Sequence, residues 1–192
     1  DIVDDVPLAG DDSPACIIQS PLPLVNVTLV LDTSGSMEGS KMAALKAAVA
    51  SLAQAYAALD APIHVNLITF AGGSANVGDY SFNSVGDSGY TNLLNAVNGL
   101  GTGGLTNYEA ALGTAKAQIL LDVNAAGADS AQQHKLYFIS DGDPTTGSTA
   151  PALAAWQSFK ADIDSDGLSS TNAFQAHAIG ISVSNGQYLN PV

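Results

Sequence analysis

The run Asp32-Thr33-Ser34-Gly35-Ser36 puts a carboxylate and alternating hydroxyls directly after an apolar stretch, Val25–Leu31. Oxygens at the end of a buried strand are costly unless something bonds to them. Two further segments carry donors of the same kind. Thr106 lies in GGLTNYEAAL, just before a helical pattern, and Asp141 lies in SDGDPTTG, just after the strand-like run Lys135–Ser140. Carboxylate and hydroxyl oxygens are hard ligands that suit Mg²⁺, Ca²⁺ or Mn²⁺. Asp32 and Asp141 would supply charge, and Ser34 and Ser36 neutral oxygens. An ion held this way stays electrophilic toward one more oxygen, such as the carboxylate of an incoming ligand.

Each of these residues also has a plainer use. Ser34 and Ser36 could be cap and turn residues ahead of the helix expected from residue 40. Thr106 and Glu109 fit a capping box. Asp141-Gly142 is a common turn pair. A second acidic run, DIDSDGLSSTN, carries Asp162, Asp164, Asp166 and Gly167, the first half of an EF-hand loop. Its twelfth position is Ala173, so the bidentate Glu is missing; a solvated helix end is the favoured reading, and a weak additional Ca²⁺ near Asp162, Asp164 and Asp166 is the alternative. His64, His134 and His177 lie on or beside strands without zinc spacing. Enzyme signatures are lacking: there is no phosphate-binding Gly-rich loop, no Gly-x-Ser-x-Gly elbow, and no second aspartate two positions after Asp32. A binding protein, not an enzyme, is expected.

The elements that must position these residues alternate. Strands are predicted over Val25–Leu31, Ile63–Phe70, Lys135–Ser140 and Phe174–Val183, with a short edge strand over ANVGDYSF. Helices are predicted over Ser40–Leu59, Thr91–Leu100, Tyr108–Leu121 and Pro151–Ile163. Such alternation implies an α/β fold: a Rossmann-like, doubly wound, mainly parallel sheet with helices on both faces. Ligands of such sheets bind beyond the carboxyl ends of the strands, where the strand order reverses. If the strands ending at Asp32 and Asp141 are neighbours there, their carboxylates converge.

Residues 1–23, with five aspartates and four prolines, read as an acidic linker, and 24–192 as one domain. The net charge of −13 includes no arginine, which argues against nucleic acid and suits a protein that meets cations. No apolar run is long enough to span a bilayer. The single cysteine, Cys16, can form no internal disulfide.

Asp-x-Ser-x-Ser with a distant Thr and a distant Asp is the pattern of the metal-ion-dependent adhesion site. Over residues 24 to about 183 the chain resembles a von Willebrand factor A domain. The resemblance implies one divalent cation, Mg²⁺ or Ca²⁺, at Asp32, Ser34, Ser36, Thr106 and Asp141, and capture of a protein or glycan ligand bearing an acidic group. One departure is Leu105, which stands between Gly103-Gly104 and Thr106 where many members run Gly-Gly-Thr. The wording VNVTLVLDTSGSM, TNYEAAL, YFISDGDPT and AIGIS is similar to A domains of giant RTX adhesins of Gram-negative bacteria. That similarity implies a monomeric module at the bacterial cell surface, with neighbouring domains in the same long chain. The family fold continues past its fifth strand with another strand and a last helix, so the domain is expected to lack these. The alternative is a structural A domain, whose ion staples loops and positions neighbouring modules.

Overall fold

The computed structural model describes residues 22–125, 132–165, 174–183 and 187–192. Nearly all of the expected linker, 1–21, lies outside them. In chain order the elements are β1 (Val25–Asp32), α1 (Ser40–Ala57), β2 (Ile63–Phe70), β3 (Ser74–Phe82), α2 (Ser88–Asn98), α3 (Tyr108–Ala125), β4 (Gln133–Ser140), α4 (Thr149–Ser165) and β5 (Gln175–Gly180). A short 3₁₀ turn, Gly35–Met37, bridges β1 and α1.

Among the described residues the sheet has five strands, in the order β3-β2-β1-β4-β5. β1 runs parallel to β2 and to β4, and β4 parallel to β5. Only β3 is antiparallel, because the tight link Ala71–Gly73 leaves room for a hairpin and not for a crossover helix. This is the expected doubly wound architecture, mainly parallel with helices on both faces.

β1 is buried along its whole length, as a central parallel strand must be. Val25, Val27, Leu29 and Leu31 pack with Leu45 and Val49 of α1 and Leu93 and Val97 of α2. On the other face Val30, Ile68, Phe70 and Phe138 pack under Tyr108, Leu112 and Ile119 of α3 and Trp156 and Phe159 of α4. Each such side chain contributes about 1.5–3 kcal/mol relative to exposure. Two dense half-cores therefore hold the strand ends rigidly.

Boundaries moved where local chemistry was misleading. α2 begins at Ser88, three residues earlier than its pattern suggests. Ser88-Gly89 reads as a loop, but Gly89 is needed for contact: a Cβ there would meet the Ser81 carbonyl oxygen at 1.9 Å. The glycine lets α2 lie directly against β3. In the second acidic run, Asp162 and Asp164 fall in the last turn of α4, and Asp166 and Gly167 lie outside the described residues.

After β1 the chain crosses through α1 to β2 on one side, whereas β4 lies on the other. The strand order therefore reverses between β1 and β4. Asp32 ends one of these strands and Asp141 follows the other.

Candidate metal centre

Asp32 is fully buried at the end of β1. Its side chain points to the α3–α4 face, as does Ser140 at the end of β4. Ser140 Oγ donates to Asp32 Oδ2 at 2.5 Å. Asp32 Oδ1 accepts from the Ser34 backbone N–H at 2.8 Å. That side-chain-to-backbone bond turns the chain sharply, as aspartate does in turns. The turn brings Ser34 Oγ to 3.1 Å from Ser36 Oγ. Ser36 Oγ in turn donates to Asp141 Oδ1 at 2.8 Å. Asp141 Oδ2 accepts from Lys41 Nζ at 2.6 Å. Asp32, Ser34 and Asp141 are buried, while Ser36 is exposed, so the cluster opens to solvent on that side.

Thr106 is buried on the neighbouring loop. Its N–H donates to Thr145 Oγ1 at 2.9 Å, and its carbonyl accepts from the N–H groups of Thr145 and Thr146. Among the described residues, no hydrogen bond joins its hydroxyl to Asp32, Ser34, Ser36 or Asp141. Four of the five expected site residues are thus linked directly, and Thr106 stands beside them with its main chain locking two loops together.

The plainer uses of these residues are adopted only in part: Ser34 takes the N-cap position of the 3₁₀ turn, without a side-chain capping bond, and Ser36 lies within that turn. Gly39, not a serine, occupies the N-cap position of α1, with no side-chain capping bond. Asn107, not Thr106, caps α3: its Oδ1 accepts from the Ala110 N–H at 3.1 Å. Glu109 instead accepts from the Ser148 N–H at 2.7 Å.

The three loops are fastened to one another by their backbones. Gly35 N–H donates to Gly104 O at 3.1 Å, and Gly103 N–H to Thr33 O at 2.8 Å. Gly104 has φ +82°, a left-handed conformation that a side chain would strain. Tyr108 supports the third loop from below. Its hydroxyl donates to Gly142 O at 2.8 Å, and its ring meets Phe138 edge-to-face with centroids 4.8 Å apart. Burial holds the Tyr108 hydroxyl well above its ordinary range, so it stays a neutral donor.

Burial also raises the Asp32 carboxyl above the usual range, against the lowering effect of its bonds from Ser140 and Ser34. The nearby charge of Asp141 pushes the same way. A buried carboxylate short of compensation, next to a second carboxylate and hydroxyls, fits a hard divalent cation. Among the described residues no group of three or more His, Cys, Asp or Glu is placed to hold a metal, so the candidate depends on its hydroxyls. The histidines are used elsewhere. His64 Nδ1 is 3.1 Å from Ser81 Oγ, His177 stacks on Tyr137 and His134 is buried.

Sequence reasoning missed Lys41, Ser140, Tyr108 and Asn107. Ser140 was the most findable, since it precedes Asp141 on the strand and shares a sheet face with Asp32. Lys41 carried no such signal, because its partner Asp141 lies 100 residues away in the chain.

A family model for the von Willebrand factor type A domain matches residues 27–143. No curated protein matches the chain by sequence. Among solved structures, the PilB minor pilin from Streptococcus sanguinis is 14% identical with a TM-score of 0.58, covering 90% of this chain and 60% of that one. The pilus adhesin SpaC from Lactobacillus rhamnosus GG is 19% identical with a TM-score of 0.60, covering 88% and 25%. A von Willebrand factor type A protein from Catenulispora acidiphila is 20% identical with a TM-score of 0.56, covering 88% and 36%. The chain therefore spans 60% or less of the length of each of these proteins. At such identities the likeness is one of fold. It agrees with the family match, which covers more than half of the chain and takes in every residue of the cluster: the protein belongs to the von Willebrand factor type A domain family.

Proposed function

We propose that this domain is a metal-dependent adhesion module of a large secreted bacterial surface adhesin, and a binding protein rather than an enzyme. The observation that carries the reading is the bonded chain Ser140–Asp32–Ser34–Ser36–Asp141 at the reversal of strand order, open to solvent at Ser36. Asp32, Ser34, Ser36 and Asp141, with Thr106 beside them, would hold one Mg²⁺ or Ca²⁺. A bound ion there supplies Lewis acidity toward an acidic group of a protein or glycan ligand. The chain's own part is to fix the oxygens: Ser140 and the Ser34 N–H orient Asp32, and Lys41 and Ser36 orient Asp141. Ser34 and Ser36 bond to each other and to a carboxylate, not to an imidazole base, which supports binding over nucleophilic catalysis.

PilB is a minor pilin and SpaC a pilus adhesin, which supports a surface setting and neighbouring domains in the same chain. No helix among the described residues is long and apolar enough to cross a membrane. The alternative is a structural ion that staples the loops. The loops are already fastened by their own hydrogen bonds, Gly35 to Gly104, Gly103 to Thr33 and Thr145 to Thr106, which favours ligand capture.

Calorimetric titration with Mg²⁺, Ca²⁺ and Mn²⁺ tests the reading on the wild type, Ser34→Ala and Asp164→Ala. One ion per wild-type chain is expected, with affinity lost in Ser34→Ala and stoichiometry kept in Asp164→Ala. Thermal unfolding in chelator separates capture from stapling. A captured-ligand site leaves the wild type folded without metal, whereas a wild type that unfolds in chelator identifies a staple. A wild type that binds no divalent ion would overturn both.

A further inference from the structure

Asp141 is gripped at both oxygens: Ser36 holds Oδ1 at 2.8 Å, and Lys41, from the first turn of α1, holds Oδ2 at 2.6 Å. The Asp141 side chain is fully buried, and that of Lys41 is 32% exposed. We propose that Lys41 is the residue that sets the charge of the site, so that an ion bound at the Asp32–Asp141 cluster keeps a net positive charge and selects an anionic ligand over a neutral one. The inference rests on the metal-binding reading above and goes beyond it by assigning the selectivity to a residue that holds no metal itself.

The argument is one of charge and reach. The two carboxylates, Asp32 and Asp141, cancel a divalent ion, and the hydroxyls of Ser34 and Ser36 add no charge. Such a site would be neutral overall, and its preference for a carboxylate over water or a carbonyl would be weaker. The Lys41 ammonium restores one positive charge, and a direct contact to Asp141 places it within the short range where Coulomb terms are strong. The other nearby charges, Glu38 and Asp143, are exposed, and solvent screens them more than it screens the Lys41–Asp141 contact. The cost falls on metal affinity, because the ammonium repels the ion it shares a carboxylate with.

A plain structural role makes the opposite prediction. If Lys41 only anchored Asp141, removing it would loosen a metal ligand and weaken metal binding. Ser36 still holds Oδ1 without Lys41, so the loss of anchoring is partial and the loss of repulsion dominates. The sign of the change therefore separates the two roles.

The experiment is calorimetry with Mn²⁺ and Mg²⁺ alone, then with glutarate added to the Mn²⁺-loaded protein, on the wild type, Lys41→Gln, Lys41→Met and Lys41→Arg. Gln keeps a donor for Asp141 Oδ2, Met keeps only the stem, and Arg keeps the charge. Lys41→Gln and Lys41→Met should bind metal about tenfold more tightly, and loaded with Mn²⁺ they should bind glutarate at least about threefold more weakly. Lys41→Arg should restore both values. Urea unfolding in chelator checks that each variant folds; should Lys41→Met not fold, Lys41→Gln carries the comparison. Metal affinity that is equal or weaker in Lys41→Gln overturns the inference and leaves the metal site standing. Glutarate binding that is absent from the wild type, or unchanged by the loss of charge, also overturns it. A wild type that binds no metal overturns the metal reading itself, and this inference with it.

Discussion

Replacing Asp32 with Asn should raise stability without metal and lower it with metal. Asn keeps the shape and an oxygen for the Ser34 N–H, and its amide can donate to Ser140 Oγ in place of the bond that hydroxyl now gives. What disappears is a charge at a fully buried position that is already disfavoured by desolvation and by Asp141. Burying an ion costs several kcal/mol, and charge-assisted bonds return part of it, so the relief in chelator should be about 1–2 kcal/mol. With Mg²⁺ at about 100 times its dissociation constant, the wild type should gain about 2.7 kcal/mol by mass action. Loss of one ligand charge should weaken metal binding about 100-fold. The variant would then gain only about 0.4 kcal/mol at the same ion concentration. The order of stabilities should thus invert, with the wild type ahead by about 0.3–1.3 kcal/mol in metal. Urea denaturation of both proteins, in chelator and in excess Mg²⁺, measures all four values. A variant less stable than the wild type in chelator would show that the hydrogen bonds outweigh the buried charge. A variant that gains as much from Mg²⁺ as the wild type would show that Asp32 does not hold the ion.

Tyr108→Phe should cost about 1–2 kcal/mol in urea denaturation, because the Gly142 carbonyl loses its 2.8 Å donor while the ring packing survives. Gly104→Ala should lower thermal stability by about 1–2 kcal/mol through its positive φ, although the added Cβ would meet Ala71 Cβ at an ordinary 3.5 Å. Asp122 sits beside Asn66, whose Nδ2 donates to it, and burial raises its carboxyl above the ordinary range, with His64 and the Asn66 bond opposing and Asp79 adding. A raised carboxyl favours the fold in acid, and that contribution is lost as pH climbs through the folded-state value. Asp122→Asn should therefore match the wild type at about pH 3 and exceed it at about pH 8; urea midpoints across that range test it, and a constant difference would refute it.

Much of the architecture was legible because its causes are local. The run Val25–Leu31, apolar except for Asn26 and Thr28, marks a strand covered on both faces, and the alternation of strands and helices leaves few other sheets. Asp32 and Asp141 were legible as a pair because each stands at the carboxyl end of such a strand. What stayed hidden depends on approach between distant segments. Nothing near Gly89 in sequence reveals the Ser81 carbonyl that demands it. Thr106-x-x-Glu109 spells a capping box, but Glu109 bonds to Ser148 and Asn107 takes the cap. Lys41 looks like one more solvated helix residue until Asp141, remote in the chain, arrives at its ammonium.

That remoteness bears on how the chain is made. β1 bonds to β4 along one edge, and the contacts that finish the cluster, Ser140 to Asp32 and Ser36 to Asp141, span 108 and 105 residues. During synthesis that apolar edge must wait for β4, about 5–20 s at ordinary ribosome speeds. Through that interval β1 is an unprotected strand edge, open to pairing with other chains. A divalent ion cannot shorten the wait, because its oxygens are scattered until the sheet closes. The ion should therefore leave the folding rate almost untouched and act as a brake on unfolding, the kinetic signature of contacts absent from the transition state.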